Sequence, residues 1–208
     1  MRSNTLPCSR GISAILSISF LITFSSWSIA GGAEPPPTTR PALITPHPAP
    51  PAAPDTTTLV GKPAPEFSLP TLDKHQVKLA GQKGKVVMLD FWATWCPPCR
   101  ASLPHVQHLA SDQERLKKGL VVWVVNDKED EPTVQKFLKE NSYGFTVPMD
   151  TTAAVLKQYL VRGIPTTVIV GRDGVIRKVF IGYGPDTAPQ IDKAVDEALA
   201  EGAMAAAN

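Results

Sequence analysis

The chain has 208 residues, 43% of them apolar, and a formal net charge of +2. That is room for one ordinary domain with a packed core, plus appendages. Setting aside Arg2 and Arg10, which fall in a segment expected to be removed, 19 basic residues face 19 acidic ones. Nothing in that balance points to nucleic acid or an anionic surface as partner.

Arg2 and Arg10 form a sparse basic n-region, Gly11 to Trp27 is uncharged, apolar and serine-rich, and Ser28-Ile29-Ala30 has the small-x-small form of a processing site. Residues 1–30 therefore read as a signal peptide or a signal anchor. The run from Gly11 to Ala30 is just long enough to span a bilayer, although its serines weaken the anchor reading. No cysteine follows the apolar run, which argues against a lipoprotein, and Cys8 lies in the n-region without a role. Either form places the domain outside the cytoplasm, in the periplasm or cell envelope, where disulfides persist. Residues 31–57 are rich in Pro, Ala and Thr and cannot bury a core. They are expected to be a disordered, extended spacer.

The folded domain is expected over 58–201, with a disordered tail over 202–208. Gly61 to Pro65 is a turn-rich lead-in, and short strands are expected over Glu66–Pro70 and within Thr71–Leu79. Gly81 to Lys85 reads as a polar turn and Val86 to Trp92 as a central buried strand. One helix is expected from Pro98 to about Lys118, with Leu103, Val106 and Leu109 on one face. Leu120 to Val125 is a continuous apolar run, as in a strand covered on both faces. Glu131 to Asn141 is a helix with Pro132 in its first turn, Thr146-Val147-Pro148 is extended, and Ala153 to Leu160 is a short helix. Thr166–Val170 and Val175–Ile181 are strands joined by Gly171-Arg172-Asp173-Gly174, a hairpin signal. An amphipathic helix over Asp186–Glu201 closes the domain. This alternation indicates an α/β sandwich with a mixed sheet.

Trp95-Cys96-Pro97-Pro98-Cys99 follows directly on the central strand, and these are the only cysteines beyond Cys8. Two thiols separated by two residues at the start of a helix are the layout of a thiol–disulfide exchange site. Cys96, facing the unpaired N–H groups of the helix start, is assigned as the exposed attacking thiol. Cys99, one turn in and more buried, resolves the mixed disulfide. Pro97 and Pro98 carry no N–H, so the first donors for the Cys96 sulfur come from Cys99 onward. Asp90 interrupts the apolar strand, and a lone buried carboxylate is costly without a use or a partner. One use is to take and return the Cys99 proton; the alternatives are an exposed edge or pairing with a lysine such as Lys85. Ile164-Pro165 stands at a strand entrance. There a trans edge proline is the local default, while a cis bond would leave Ile164 to pair with an incoming peptide.

Phe91 to Arg100 with Gly163-Ile164-Pro165-Thr166-Thr167 resembles the TlpA/ResA branch of the thioredoxin-like superfamily, over roughly Leu59 to Leu199. The resemblance implies a thioredoxin-like fold with a mixed central sheet, an N-terminal hairpin extension and an inserted strand–helix unit over Asn126–Asp150. It also implies a redox-active Cys96–Cys99 disulfide, a cis peptide at Pro165, and substrate contact by Trp95, Ile164 and Pro165. The expected protein is an extracytoplasmic thiol–disulfide oxidoreductase, without cofactor or metal, and monomeric. Its expected partners are protein disulfides or dithiols and an upstream membrane electron donor. Pro104 matches the helix-kinking proline of the superfamily. Three departures stand out: Ser102 sits where the branch often has glutamate, Asp90 where it often has asparagine, and Thr166 where the haem-maturation subgroup has an acidic residue.

Rival readings are a peroxidase, for which the proline ahead of the cysteine is missing, and a metal-binding or metallochaperone module, for which one cysteine pair is too few for structural zinc. His105 and His108 share a helix but read as surface residues, and Arg100 stands where c-type haem attachment would need histidine. The direction of exchange stays open between reductant and oxidant or isomerase. The resemblance and Asp90 favour the reductant, and the two prolines do not decide it.

Overall fold

The computed structural model describes residues 53–205, with side chains to Glu201. The expected signal segment and most of the expected linker lie outside the described residues. The first element among the described residues is a 3-10 turn, Thr56–Leu59, ahead of the boundary expected at 58. Asp55 caps it by accepting from the Thr57 amide at 2.9 Å, and Thr56 is buried. Strands β1 (Ser68–Pro70) and β2 (Gln76–Lys78) form a separate antiparallel pair, the N-terminal hairpin.

Next come β3 (Val86–Trp92), α1 (Pro97–Ser111), α2 (Gln113–Lys117) and β4 (Leu120–Asp127). They are followed by α3 (Glu131–Glu140), β5 (Met149–Asp150) and α4 (Ala154–Gln158). β6 (Thr166–Val170), β7 (Ile176–Ile181) and α5 (Thr187–Ala205) complete the chain. The main sheet has the order β5-β4-β3-β6-β7. β3 runs parallel to β4 and antiparallel to β6, so the sheet is mixed. Gly174 sits at φ 82° in the β6–β7 turn, a backbone position that favours glycine, and the Asp173 carboxylate accepts from the Val175 amide at 3.0 Å.

β3 is central and buried along its whole length, as a run that is apolar everywhere but Asp90 requires. Successive side chains point to opposite faces. Val86, Met88 and Trp92 therefore join Cys99, Leu103, Val106 and Leu109 of α1, Val134 and Phe137 of α3, and Ile191 and Val195 of α5 in one core layer. Val87, Leu89 and Phe91 join Val155, Leu156 and Tyr159 in the other. Trp92 anchors the first layer: its ring centroid lies 5.4 Å from Phe137 and its indole N–H donates to the Val124 carbonyl at 3.2 Å.

The single helix expected over Pro98–Lys118 is two helices. Asp112 at φ −70°, ψ 98° leaves helical geometry, and its carboxylate accepts from the amides of Glu114 and Arg115 at 3.0 and 3.1 Å. An aspartate at such a cap offers the backbone an alternative to continuing the helix. Arg115 then bridges to Asp196 on α5 with two hydrogen bonds of 2.8 and 2.9 Å. At the far end α5 runs to Ala205, past the boundary expected at 201, as alanine's helix propensity allows. No helix among the described residues is long and apolar enough to cross a membrane.

Phe137 is 8% exposed and packs between Trp92 and Tyr143, with the Arg100 guanidinium 5.2 Å from its centroid. Phe137→Ala is expected to cost about 3–4 kcal/mol through lost burial and the cavity left behind, read as a lowered urea midpoint with an unchanged slope.

Candidate active site

Cys96 is the N-cap of α1, and Pro97 and Pro98 occupy the first helical positions. Pro is suited there because the N–H it lacks has no intrahelical acceptor in any case. The consequence for the sulfur is specific. Cys96 Sγ accepts from the Cys99 amide at 3.3 Å, with no amide available from the two prolines between. Cys96 and Cys99 are joined as a disulfide, their Cα atoms 5.3 Å apart. Cys99 is fully buried; Cys96 is only 2% exposed and not the open thiol expected from its position. Its sulfur is held in the disulfide, and the Ile164 carbonyl oxygen lies 3.6 Å from it. The large apolar side chain exposed at the site is Trp95, at 65%.

The Ile164–Pro165 peptide is cis, not the trans form favoured by local sequence. Thr166, next in the chain, is buried and donates its hydroxyl to the Gly163 carbonyl at 2.7 Å. Ser102 is likewise buried and turns its hydroxyl back to the Cys99 carbonyl at 2.8 Å. Neither position supplies a carboxylate.

Asp90 does. Strand parity sets it on the same face of β3 as Met88 and Trp92, the face against which α1 and Cys99 pack. It is fully buried and lies opposite Val124 on β4 and Thr167 on β6. Its Oδ1 accepts from the Thr167 hydroxyl at 2.7 Å, and its Oδ2 has no partner. The exposed-edge and Lys85-paired alternatives therefore do not hold. Burial pushes the carboxyl up to about 7, against the smaller opposing effect of the Thr167 hydrogen bond. A carboxyl that ionises near neutrality can accept and return a proton under ordinary conditions.

The loop carrying Trp95 is clamped by a residue that sequence reasoning missed. Glu129 Oε2 accepts from the Thr94 amide and from the Asn126 side-chain amide, both at 2.7 Å, and its Oε1 accepts from the Thr94 hydroxyl. The signal was Asn126, a polar residue ending an apolar strand and fully buried in the structure. Beside Cys96 opens a groove of about 510 Å³, lined by Trp95, Leu156 and Ile164 among others. The two histidines do not join the cysteines. His105 Nε2 lies 3.1 Å from Asp192 Oδ1, and His108 is exposed. Among the described residues no three His, Cys, Asp or Glu side chains are grouped to hold a metal ion.

Residues 59–196 match the Redoxin family. The chain belongs to that family. The thiol-disulfide oxidoreductase ResA of Halalkalibacterium halodurans is 34% identical over 122 residues, 59% of this chain and 68% of that protein. ResA of Bacillus subtilis is 35% identical over 123 residues, 59% of this chain and 67% of that protein. Among solved structures, a thioredoxin-family thiol:disulfide interchange protein from Chlorobium tepidum superposes with a TM-score of 0.57 at 29% identity, covering 66% of this chain and 95% of that one. The exposed lipoprotein thioredoxin of Streptococcus pneumoniae gives 0.56 at 29% identity, covering 64% and 99%. The mixed sheet flanked by helices is thus the thioredoxin-like fold, and the Redoxin match spans both Asp90 and the Cys96–Cys99 pair.

Two predictions follow from the buried carboxyl and the clamp. Burial pushes the Asp90 carboxyl up to about 7 in the folded protein, whereas an unfolded chain leaves an aspartate near its ordinary value of about 3.9. Its neutral form is the one the fold tolerates, so the stability it permits is complete below about pH 4 and is lost as pH rises through 7. Asp90→Asn should therefore stabilise the protein by up to about 4 kcal/mol at pH 8 and by little at pH 4, measured by urea unfolding at both. Glu129→Ala should cost about 2 kcal/mol, with Glu129→Gln recovering part of it, read by thermal melts.

Proposed function

We propose that this thiol–disulfide oxidoreductase works as a reductant of protein disulfides outside the cytoplasm, with Cys96 as nucleophile, Cys99 as resolving thiol and Asp90 as proton carrier. The observation that carries the reading is the buried Asp90 carboxyl on the α1 side of the sheet, with one oxygen unpartnered and ionisation near neutral pH. The relatives named ResA and the interchange-protein structures support the same chemistry.

In the reduced protein, the Cys96 thiolate attacks one sulfur of the partner's disulfide. A Cys96–partner bond forms, and the partner's other sulfur leaves as thiolate and takes a proton from solvent. Asp90 in its ionised form accepts the Cys99 proton. The Cys99 thiolate then attacks Cys96 Sγ, forming the Cys96–Cys99 disulfide and expelling the partner's second thiolate. Two electrons have passed to the partner. A membrane-linked dithiol donor returns them by the reverse sequence, and Asp90 gives the proton back to Cys99. Trp95 and the Ile164–Pro165 segment flank the attacking sulfur and frame the incoming chain. The same reading holds the protein as a monomer, secreted or anchored through its N-terminal segment, which fits the extracytoplasmic setting where exchange substrates are found.

Cys99→Ser should accumulate mixed disulfides through Cys96 in cells, and the wild-type potential should lie below about −200 mV; a potential near about −120 mV overturns the reducing direction. Recovery of no covalent protein partner overturns the protein-substrate reading.

A further inference from the structure

The groove beside Cys96 carries a charge signature that the cysteine chemistry does not use. Its rim holds Lys128 from the β4–α3 loop, Lys157 from α4 and Arg162 from the segment ahead of Ile164. All three are exposed. Among the described residues none of the three is in a salt bridge. Arg162 is held in place, its Nε donating to the Pro54 carbonyl at 3.0 Å. The one carboxylate among the described lining residues is Asp127. Its Oδ1 is buried without a partner, and three cations against this one carboxylate leave positive charge in excess along the groove.

The apolar part of the groove is equally defined. Trp95 and Ile164 stand at its cysteine end and Leu156 lines it from α4. A ligand seated in this groove meets both the cations and Cys96, whose sulfur lies 3.6 Å from the Ile164 carbonyl oxygen. A free anion would satisfy the rim without using the cysteine end. A chain with acidic residues beside its disulfide uses both.

We propose that this groove selects partner proteins whose target disulfide is flanked by an acidic, extended segment. The inference rests on the oxidoreductase reading above and adds the class of substrate. Charge of opposite sign raises the rate of productive encounter and is screened by salt. Arg162, already held by Pro54, loses little side-chain freedom when it binds.

The test uses the reduced full chain and three disulfides: two matched peptides with an internal disulfide, one flanked by glutamates and one by lysines, and neutral hydroxyethyl disulfide. At low ionic strength the acidic peptide should be reduced about tenfold faster than the basic one, and the ratio should shrink to about twofold or less near half-molar salt. Combined Lys128→Gln, Lys157→Gln and Arg162→Gln should bring the low-salt ratio toward one. Lys157→Glu alone should lower it, and a circular dichroism spectrum matched to wild type certifies the fold. Equal rates for the two peptides at low salt, or a ratio unmoved by the substitutions, overturn the inference while leaving the oxidoreductase reading intact. Failure to reduce hydroxyethyl disulfide overturns both.

Discussion

Everything at this site depends on β3 being buried on both faces. A strand with water on one side could place a carboxylate at Asp90 without consequence. Here parallel β4 and antiparallel β6 enclose it, α1 and α5 cover one face, and α4 with the N-terminal hairpin region covers the other. The alternation of the strand then leaves Asp90 no route to solvent and sets it on the same side as Cys99. Its ionisation near neutrality is a result of this enclosure more than of any single neighbour, since the Thr167 hydroxyl acts in the opposite direction. The carboxyl costs stability at neutral pH, and the function proposed for it accounts for its being kept.

The same strand ends at the loop that presents the cysteines, so a second device is needed to hold that loop while thiols and disulfides interchange. Glu129 supplies it from the neighbouring strand's end, binding Thr94 through both amide and hydroxyl and Asn126 through its side chain. Charge-assisted hydrogen bonds of this kind fix a backbone more firmly than neutral ones. The groove is built from the same two loops together with α4 and the segment 161–164. The clamp therefore positions the Cys96 loop and one wall of the groove together.

The parts of this arrangement that sequence could reveal are those encoded in runs and spacings. The apolar stretches marked β3 and β4 as interior strands, the cysteine pair after β3 marked the chemistry, and Asp90 stood out because nothing else in its strand was polar. Other features depend on long-range contact. The helix break at Asp112 is a local cap inside a run that reads as one helix, and the reach of Arg115 to Asp196 on α5 is the long-range contact beside it. The surroundings of the Cys96 sulfur include the Ile164 carbonyl, 68 positions away in sequence. Glu129 looked like one charge among several in an acidic loop, and only the approach of Thr94 separates it from them. The cations of the groove rim lie on three elements, and no window of sequence brings them together.

The direction of exchange turns on how well the reduced form is stabilised. A dithiol is a strong oxidant when its thiolate is favoured, because reduction then gains that stabilisation. Each backbone N–H aimed at the sulfur adds to it, as does a nearby positive charge. At Cys96 the inventory is short: one amide, from Cys99, with Pro97 and Pro98 contributing none, and a carbonyl oxygen from Ile164 on the other side. A carbonyl beside a thiolate works against it. Surroundings with one donor and one opposing dipole support a thiolate less than a helix start whose first amides are all present, which favours the reducing direction proposed for the pair. The two prolines, neutral when read as sequence, thus argue for the reducing direction once the Ile164 carbonyl stands opposite them.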